Sequence, residues 1–237
     1  LYSDNRVREE YKKMNNRSIN QNPSIWDNKN SEGVKISSLN CARLKPHYED
    51  IKTDHTLKKG DIIHLQETWL EENEAQIDKL KLENYQVKHI IVGKGKGITT
   101  YYSKTFIHVS DVVSQNYQIT KYESEYVVSI NIYRSVGGST AEILNEIERL
   151  ESKEKATIVT GDMNICAQQE RKGLLITTMA GRGFTLLTKK ATHTKGRQID
   201  HVYIKNAEAT LNRYTPYYSD HDALCVAVEK VIYSFKF

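Results

Sequence analysis

The sequence predicts an α/β (α+β) domain in which two mixed β-sheets pack together and helices cover their outer faces. Short apolar runs rich in β-branched and aromatic residues, each bounded by turn residues, outnumber the stretches with helical periodicity. The two kinds are interspersed from Val34 onward, the order expected of packed layers and not of separate helical and strand domains. With 38% apolar and 27% charged residues, the chain can fill the core of a soluble globule.

In chain order, residues 1–32 come first and are polar and Asn-rich. They hold one charged, helix-like stretch over 5–11, followed over 15–30 by a run with little to bury. This part reads as a short helix and a linker, and residues 33–237 as the domain. Residues 34–41 read as a strand, 48–57 as a helix, and 61–66 as a short bounded apolar strand. Strands follow at 85–92, 98–102 and 126–133. The clearest helix is 140–150, which puts Ile143, Leu144, Ile147 and Leu150 on one face. Ser139 or Thr140 can cap it, with Glu142 three residues after Ser139 as in a capping box. Residues 156–160, 198–204 and 223–228 read as further strands.

The net charge of +4 permits a polyanionic partner without requiring one. Cys41, Cys166 and Cys225 are odd in number and widely spaced, which fits neither a disulfide framework nor a zinc site and predicts a reducing, intracellular setting. No apolar run approaches the roughly 18 residues of a membrane span, so no membrane partner is expected. The chain opens on Leu1 and no signal-peptide pattern follows, as expected of a segment of a longer polypeptide.

The chemistry-bearing residues fall at strand ends, where a scaffold holds side chains rigidly yet leaves them open to solvent. Asn40 ends the first strand and Glu67 the second. Asp162 and Asn164 follow an apolar run in Gly161-Asp162-Met163-Asn164, Asp200 lies in Gln198-Ile199-Asp200, and Ser219-Asp220-His221 precedes the last strand. Carboxylates, amides and an imidazole are the groups that metal-assisted phosphoryl hydrolysis needs. Hard oxygen ligands such as Glu67 suit Mg²⁺, and an Asp–His pair gives an oriented, proton-handling imidazole.

Five motifs in this order, SLN (38–40), LQETW (65–69), GDMN (161–164), QIDHVYI (198–204) and SDHDAL (219–224), resemble those of the endonuclease/exonuclease/phosphatase superfamily. The resemblance runs from about Val34 to Val231. It implies a DNase I-like, four-layer sandwich and an enzyme, a Mg²⁺-dependent phosphodiesterase for which Mn²⁺ can substitute. Glu67 would be the principal metal ligand, with Asn40 and Asp220 at the metal site. Asp162 would hold or activate the attacking water and Asn164 would position it or the phosphate. Asp200 would orient His221, which binds the phosphate, and Tyr133 matches the strand-end tyrosine beside the scissile bond. Ala42 stands where many relatives have Asp or Asn, which puts a second bound ion in doubt.

Thr192-His193-Thr194 through Ile199-Asp200-His201 is similar to the corresponding stretch of retroelement endonucleases, whereas the Trp-Cys-Asp-Arg of the inositol phosphatases is missing. The expected function is therefore an endonuclease of a mobile-element protein, nuclear, nicking DNA to leave 3′-hydroxyl and 5′-phosphate. A phosphatase, a lipid or nucleotide phosphodiesterase and a non-catalytic nucleic-acid-binding domain stay open. Arg134, His193, Lys195 and Arg197 are the candidate substrate contacts. Tyr2-Ser3-Asp4-Asn5 with Val7 and Glu10-Tyr11 is similar to the tail of Pif-type helicases, which implies that residues 1–32 end an upstream helicase module. His201, next to Asp200 on a strand, is expected to face away from the site, and Cys41 to be a buried apolar residue.

Overall fold

The computed structural model describes residue 26 and residues 33–72, 77–170 and 173–229. The expected helix at 5–11 lies outside the described residues. Of the first 32 residues Trp26 alone is described; it is buried and donates its indole N–H to the Thr56 carbonyl at 3.0 Å.

Two six-stranded sheets form the centre. The first contains β1 (Val34–Asn40), β2 (Ile62–Gln66), β3 (Gln86–Ile90), β4 (Ile98–Tyr102), β11 (Ala209–Tyr214) and β12 (Ala223–Val228), in the order β11-β12-β1-β2-β4-β3. The second contains β5 (Ile107–Val113), β6 (Tyr117–Glu123), β7 (Val127–Arg134), β8 (Ala156–Asp162), β9 (Thr185–Leu186) and β10 (Asp200–Lys205), in the order β5-β6-β7-β8-β10-β9. Each sheet has one parallel pair, β1 with β2 and β7 with β8, and its other pairs are antiparallel. A parallel pair needs a crossover, and a helix supplies it both times. Helix α1 (Leu44–Thr53) joins β1 to β2, and α2 (Thr140–Leu150) joins β7 to β8. A third helix, α3 (Leu174–Gly181), follows β8.

Strand alternation assigns the side chains to layers. Leu39, Ile63 and Leu65 face outward with Leu44 and Ile51 of α1. Ile130, Ile132, Val159 and Tyr203 face outward on the second sheet against Ile143 and Ile147 of α2 and Met179 of α3. Ile36, Ile62, Ile158, Val202, Leu224 and Val226 fill the space between the sheets. The result is four layers, as the sequence predicts. Ser139 caps α2 by accepting the Glu142 N–H at 3.2 Å. Among the described residues no helix is long and apolar enough to cross a membrane.

Toward the C-terminal ends of the parallel pairs the inter-sheet layer turns polar. His64 bonds Thr100 at 3.1 Å and Ser129 at 2.8 Å, and Gln66 donates to Asn131 at 2.6 Å and Ser38 at 3.1 Å. Burial drives the His64 pKa down to about 3, so the ring is neutral.

The structure corrects one helix and adds elements. Helix α1 begins four residues before the expected 48–57, because Pro46 sits in its first turn, where a missing N–H costs nothing. It ends at Thr53, and the carboxylate of the next residue, Asp54, accepts the N–H groups of Thr56 and Leu57. Strands β5, β6, β9 and β11 and helix α3 are additional to the sequence reading.

Gly161 sets how closely β8 approaches β7. Its φ is 134°, and a Cβ there would lie 1.9 Å from the Ile132 carbonyl oxygen. Gly161→Ala is therefore expected to destabilise the domain by about 3 kcal/mol or more, read from urea unfolding. Wild-type stability in that variant would mean that β8 has room to shift.

Candidate active site

Backbone register brings distant carboxylates together. Tyr133 on β7 stands opposite Asp162 on β8, and Asp162 stands opposite Asp200 on β10. All three are buried on the inter-sheet face. Across the cleft, β1 presents Asn40, whose Nδ2 donates to Asp162 Oδ2 at 2.9 Å. The Asn40 Oδ1 accepts the Ala42 N–H at 3.1 Å, so both ends of this amide are engaged within the protein.

Asp162 accepts two more hydrogen bonds, from the backbone N–H of Asn164 at 2.9 Å and its Nδ2 at 3.4 Å. Asn164 takes a left-handed φ of 49° to make this turn, and its Nδ2 also donates to the Arg134 carbonyl at 2.8 Å. Burial, and then the neighbouring charge of Asp200, hold the Asp162 carboxyl well above the usual carboxylate range, to about 7.

Asp200 is braced from both sides. Thr192 donates its hydroxyl to Oδ2 at 2.6 Å, and His221 Nδ1 lies 2.9 Å from the same oxygen. Burial alone would lower the His221 pKa; the Asp200 charge and hydrogen bond, with Asp162 and Asp220, outweigh it and raise the pKa to about 9. His221 is thus an imidazolium at neutral pH. Ser219 secures its backbone, accepting the His221 N–H at 3.0 Å and donating to the Asn40 carbonyl at 2.6 Å.

The loop before β10 reaches the same place. His193 forms a β-bridge with His221, and the two rings lie edge to face with centroids 4.6 Å apart. Its Nδ1 accepts the Lys195 N–H at 3.0 Å, which leaves the proton of the neutral ring on Nε2, 3.5 Å from Asp220 Oδ2. Burial and the positive His221 lower its pKa and keep it neutral. Lys195 is exposed and Arg197 half-buried on the tight turn that this loop makes.

Glu67 is half-buried with a left-handed φ of 51° just past β2, and its Oε2 lies 3.4 Å from the Trp69 indole nitrogen. The Tyr133 hydroxyl donates to the Gly95 carbonyl at 3.0 Å. Burial, then Glu67 and Asp162, raise its pKa, which places both carboxylates close to that ring.

This donor set fits a hard divalent cation. Carboxylate oxygens of Asp162 and Asp200 lie within 4.8 Å of each other, and one of Asp220 lies as near to His221; the rings of His221 and His193 have no free lone pair, so the carboxylates are the donors. Two buried carboxylates with one imidazolium leave negative charge that a cation would balance, and the oxygens of Glu67 and Asp220 are of the kind Mg²⁺ takes.

Arg134 requires a correction. Alternation turns Tyr133 toward the cleft and Arg134 to the opposite face, where its guanidinium donates to the carbonyls of Gly138 at 2.9 Å and Met163 at 3.1 Å. It is 9% exposed and braces the Asp162 turn instead of facing a substrate. His201 does face away, bonded to Tyr203 and to the Ile165 carbonyl. Cys41, Cys166 and Cys225 are buried and unpaired. Thr192 and Ser219 lay inside recognised motifs but were not singled out, because a hydroxyl that supports a carboxylate or a turn has no spacing signature of its own.

The model of the endonuclease/exonuclease/phosphatase family matches residues 37–221, most of the chain. The chain belongs to this family. Members of the endonuclease/exonuclease/phosphatase family are typically metal-dependent hydrolases. Solved structures share its DNase I-like fold. An AP endonuclease from Archaeoglobus fulgidus aligns with a TM-score of 0.64 at 14% identity, covering 83% of this chain and 100% of that one. The endonuclease domain of TRAS1, a telomere-specific non-LTR retrotransposon, gives 0.64 at 14% identity over 83% and 98%. The 3′ phosphatase NExo from Neisseria, bound to product DNA hairpin, gives 0.60 at 14% over 83% and 100%. No curated protein sequence matches the chain.

A prediction follows from the Asp200–His221 pair. In metal-free protein the ring of His221 is expected to hold its second proton to about pH 9 by NMR. Asp200→Asn should bring the midpoint down. Because the folded pKa is raised above the ordinary 6.5, the stabilisation is complete below pH 6.5 and is lost as pH rises through 9. Thermal stability between pH 7 and 9 should therefore fall more in wild type than in Asp200→Asn; a midpoint near 6.5 in wild type would refute the pairing.

Proposed function

We propose that this domain is a Mg²⁺-dependent endonuclease that nicks DNA, leaving 3′-hydroxyl and 5′-phosphate ends, and that it serves in a mobile-element protein. The observation that carries the hydrolytic part is the row Tyr133–Asp162–Asp200, in register on three neighbouring strands, with His221 held against its last member. A carboxylate of raised basicity stands beside an imidazolium of fixed orientation, which are the base and the phosphate-binding cation that in-line hydrolysis needs.

In this reading Asp162 takes the proton of the attacking water, and Asn164 positions that water or the phosphate. Asn40 and Asn164 fix the rotamer of Asp162 through the three hydrogen bonds described. His221 donates from Nε2 to a non-bridging oxygen as charge develops, and Asp200 holds its orientation. The Tyr133 hydroxyl lies beside the scissile phosphate. A divalent cation held by Glu67, with Asp220 and Asn40 at its edge, would when bound neutralise charge on the phosphate.

Two features support DNA as substrate. Exposed Lys189, Lys190 and Lys195, with half-buried Arg197 and His193, line one loop at the rim of the site. Structures of like fold include a retrotransposon endonuclease domain and an enzyme bound to a DNA hairpin. Such a domain would act in the nucleus, with a helicase upstream in the same polypeptide.

Nicking of supercoiled plasmid should require Mg²⁺, stop in EDTA and be lost in Asp162→Ala; a plasmid left intact at every salt would leave a small-molecule phosphatase standing. Glu67→Gln should shift the Mg²⁺ titration to higher concentration while its unfolding curve stays in place, and an unchanged titration would remove Glu67 from the metal. Asp200→Asn and His221→Ala should each slow cleavage by roughly 10²–10⁴-fold, and the double variant should be scarcely slower than the poorer single. Multiplicative losses would mean that the two act independently. Replacing Lys195 and Arg197 together by Ala should weaken binding to all DNA sequences and reduce the slope of log affinity against log salt by up to about two. An unaltered slope would take this loop off the backbone.

A further inference from the structure

Backbone strain is concentrated where β1 and β2 end. Ala42, Arg43, Glu67 and Trp69 have φ of 45°, 107°, 51° and 52°, four of the seven non-glycine residues with positive φ among the described residues. Such conformations persist only where the surroundings over-determine them, and they gather at ligand clamps. Here the surroundings are a ladder of amides that runs on past the strands. Arg43 donates to the Glu67 carbonyl at 2.9 Å, Leu44 to Thr68 at 3.0 Å, and Trp69 to Lys96 at 2.9 Å.

What this frame fixes is a stacked pair. The Arg43 guanidinium carbon lies 4.2 Å above the centre of the Trp69 ring. Arg43 is exposed and Trp69 half-buried, so the guanidinium is the outer layer of the stack. No carboxylate among the described residues pairs with it. The indole N–H points back at Glu67, which ties the pair to the edge of the cleft.

Resting on the nucleic-acid reading above, we propose that the Arg43–Trp69 stack is a nucleobase platform, on which one unpaired base of the bound strand lies flat beside the site of cleavage. A guanidinium is planar and weakly hydrated, and nucleic-acid-binding proteins stack unpaired bases on aromatic rings and on Arg planes. A cation meant only for phosphate needs no plane, no ring beneath it and no strained backbone. Because every base has a π-face, the platform reads the presence of an unpaired base and not its identity. It therefore favours strands with a locally opened or flipped nucleotide over uniform duplex.

Binding of short single-stranded oligonucleotides, measured in EDTA so that no metal-dependent cleavage occurs, tests this. A tetrahydrofuran abasic nucleotide is stepped along the strand. At one position, loss of the base should weaken binding to wild type by about 5- to 100-fold. Arg43→Lys keeps the charge and loses the plane. It should bind the abasic and intact strands within about twofold of each other, and the abasic strand as well as wild type does. Equal loss on both strands in Arg43→Lys would make Arg43 a phosphate contact and overturn the inference. Wild-type binding blind to the base at every position would make the pair a brace for Glu67 and overturn it too. In both cases the endonuclease reading survives. A protein that binds neither strand, and no duplex, overturns both.

Discussion

The site is organised around two carboxylates that repel each other. Asp162 and Asp200 are opposite partners on antiparallel neighbours, both buried, and nothing in the backbone lets them separate. Burial and the charge of Asp200 raise the proton affinity of Asp162, and holding the two groups this close requires compensation from side chains. The neighbours are arranged to do that: Asn40 and Asn164 donate to Asp162, and Thr192 and His221 to Asp200. The imidazolium of His221 is thus a consequence of its setting before it is a tool.

The same logic explains the polar seam between the sheets. A sandwich interior is most cheaply filled with aliphatic side chains, and at the far end it is: Ile36, Ile62, Val226 and Ile158. Approaching the site, the same strand faces carry Ser38, His64, Gln66, Ser129 and Asn131, joined across the gap by hydrogen bonds. Directional bonds fix the distance and register of the two sheets where a shift would separate Asn40 from Asp162. Hydrophobic contacts alone would tolerate such a slide.

How much of this was legible depended on whether a residue's environment repeats. Strands with one aliphatic face, such as β2, β7 and β12, are plain, as is α2 with its four-residue apolar stripe. Strand β6 is not, because its inner face carries Gln118, Thr120 and Tyr122, facing the polar seam, which erases the apolar alternation. Helix α3 is apolar nearly throughout and so lacks the periodicity that marks α2. Edge strand β5 leaves Ile107, Val109 and Val113 exposed and carries a bulge that breaks its period. In the site, the residues expected at strand ends do meet, since order and spacing identify them. Arg134 was misread because its neighbour Tyr133 carries the motif and only alternation tells which of the two faces the cleft. Ser219 and the Arg43–Trp69 stack depend on contacts between separate segments, which local sequence does not record, and the Thr192 hydroxyl reaches Asp200 only through the turn of its loop.

Among the described residues the first and last strands are neighbours, which bears on synthesis. Asn40 reaches Asp162 across 122 positions, and Ser219 reaches back to Asn40 across 179. Strand β12 inserts beside β1, so the sheet that carries Asn40 and Glu67 lacks an inner neighbour until β12 has been made. Loop closures of this span are slow, and they reward the chain only once both ends are present. A nascent or prematurely terminated polypeptide therefore carries every candidate residue up to Asp200 and still has no assembled site until β12 is in place.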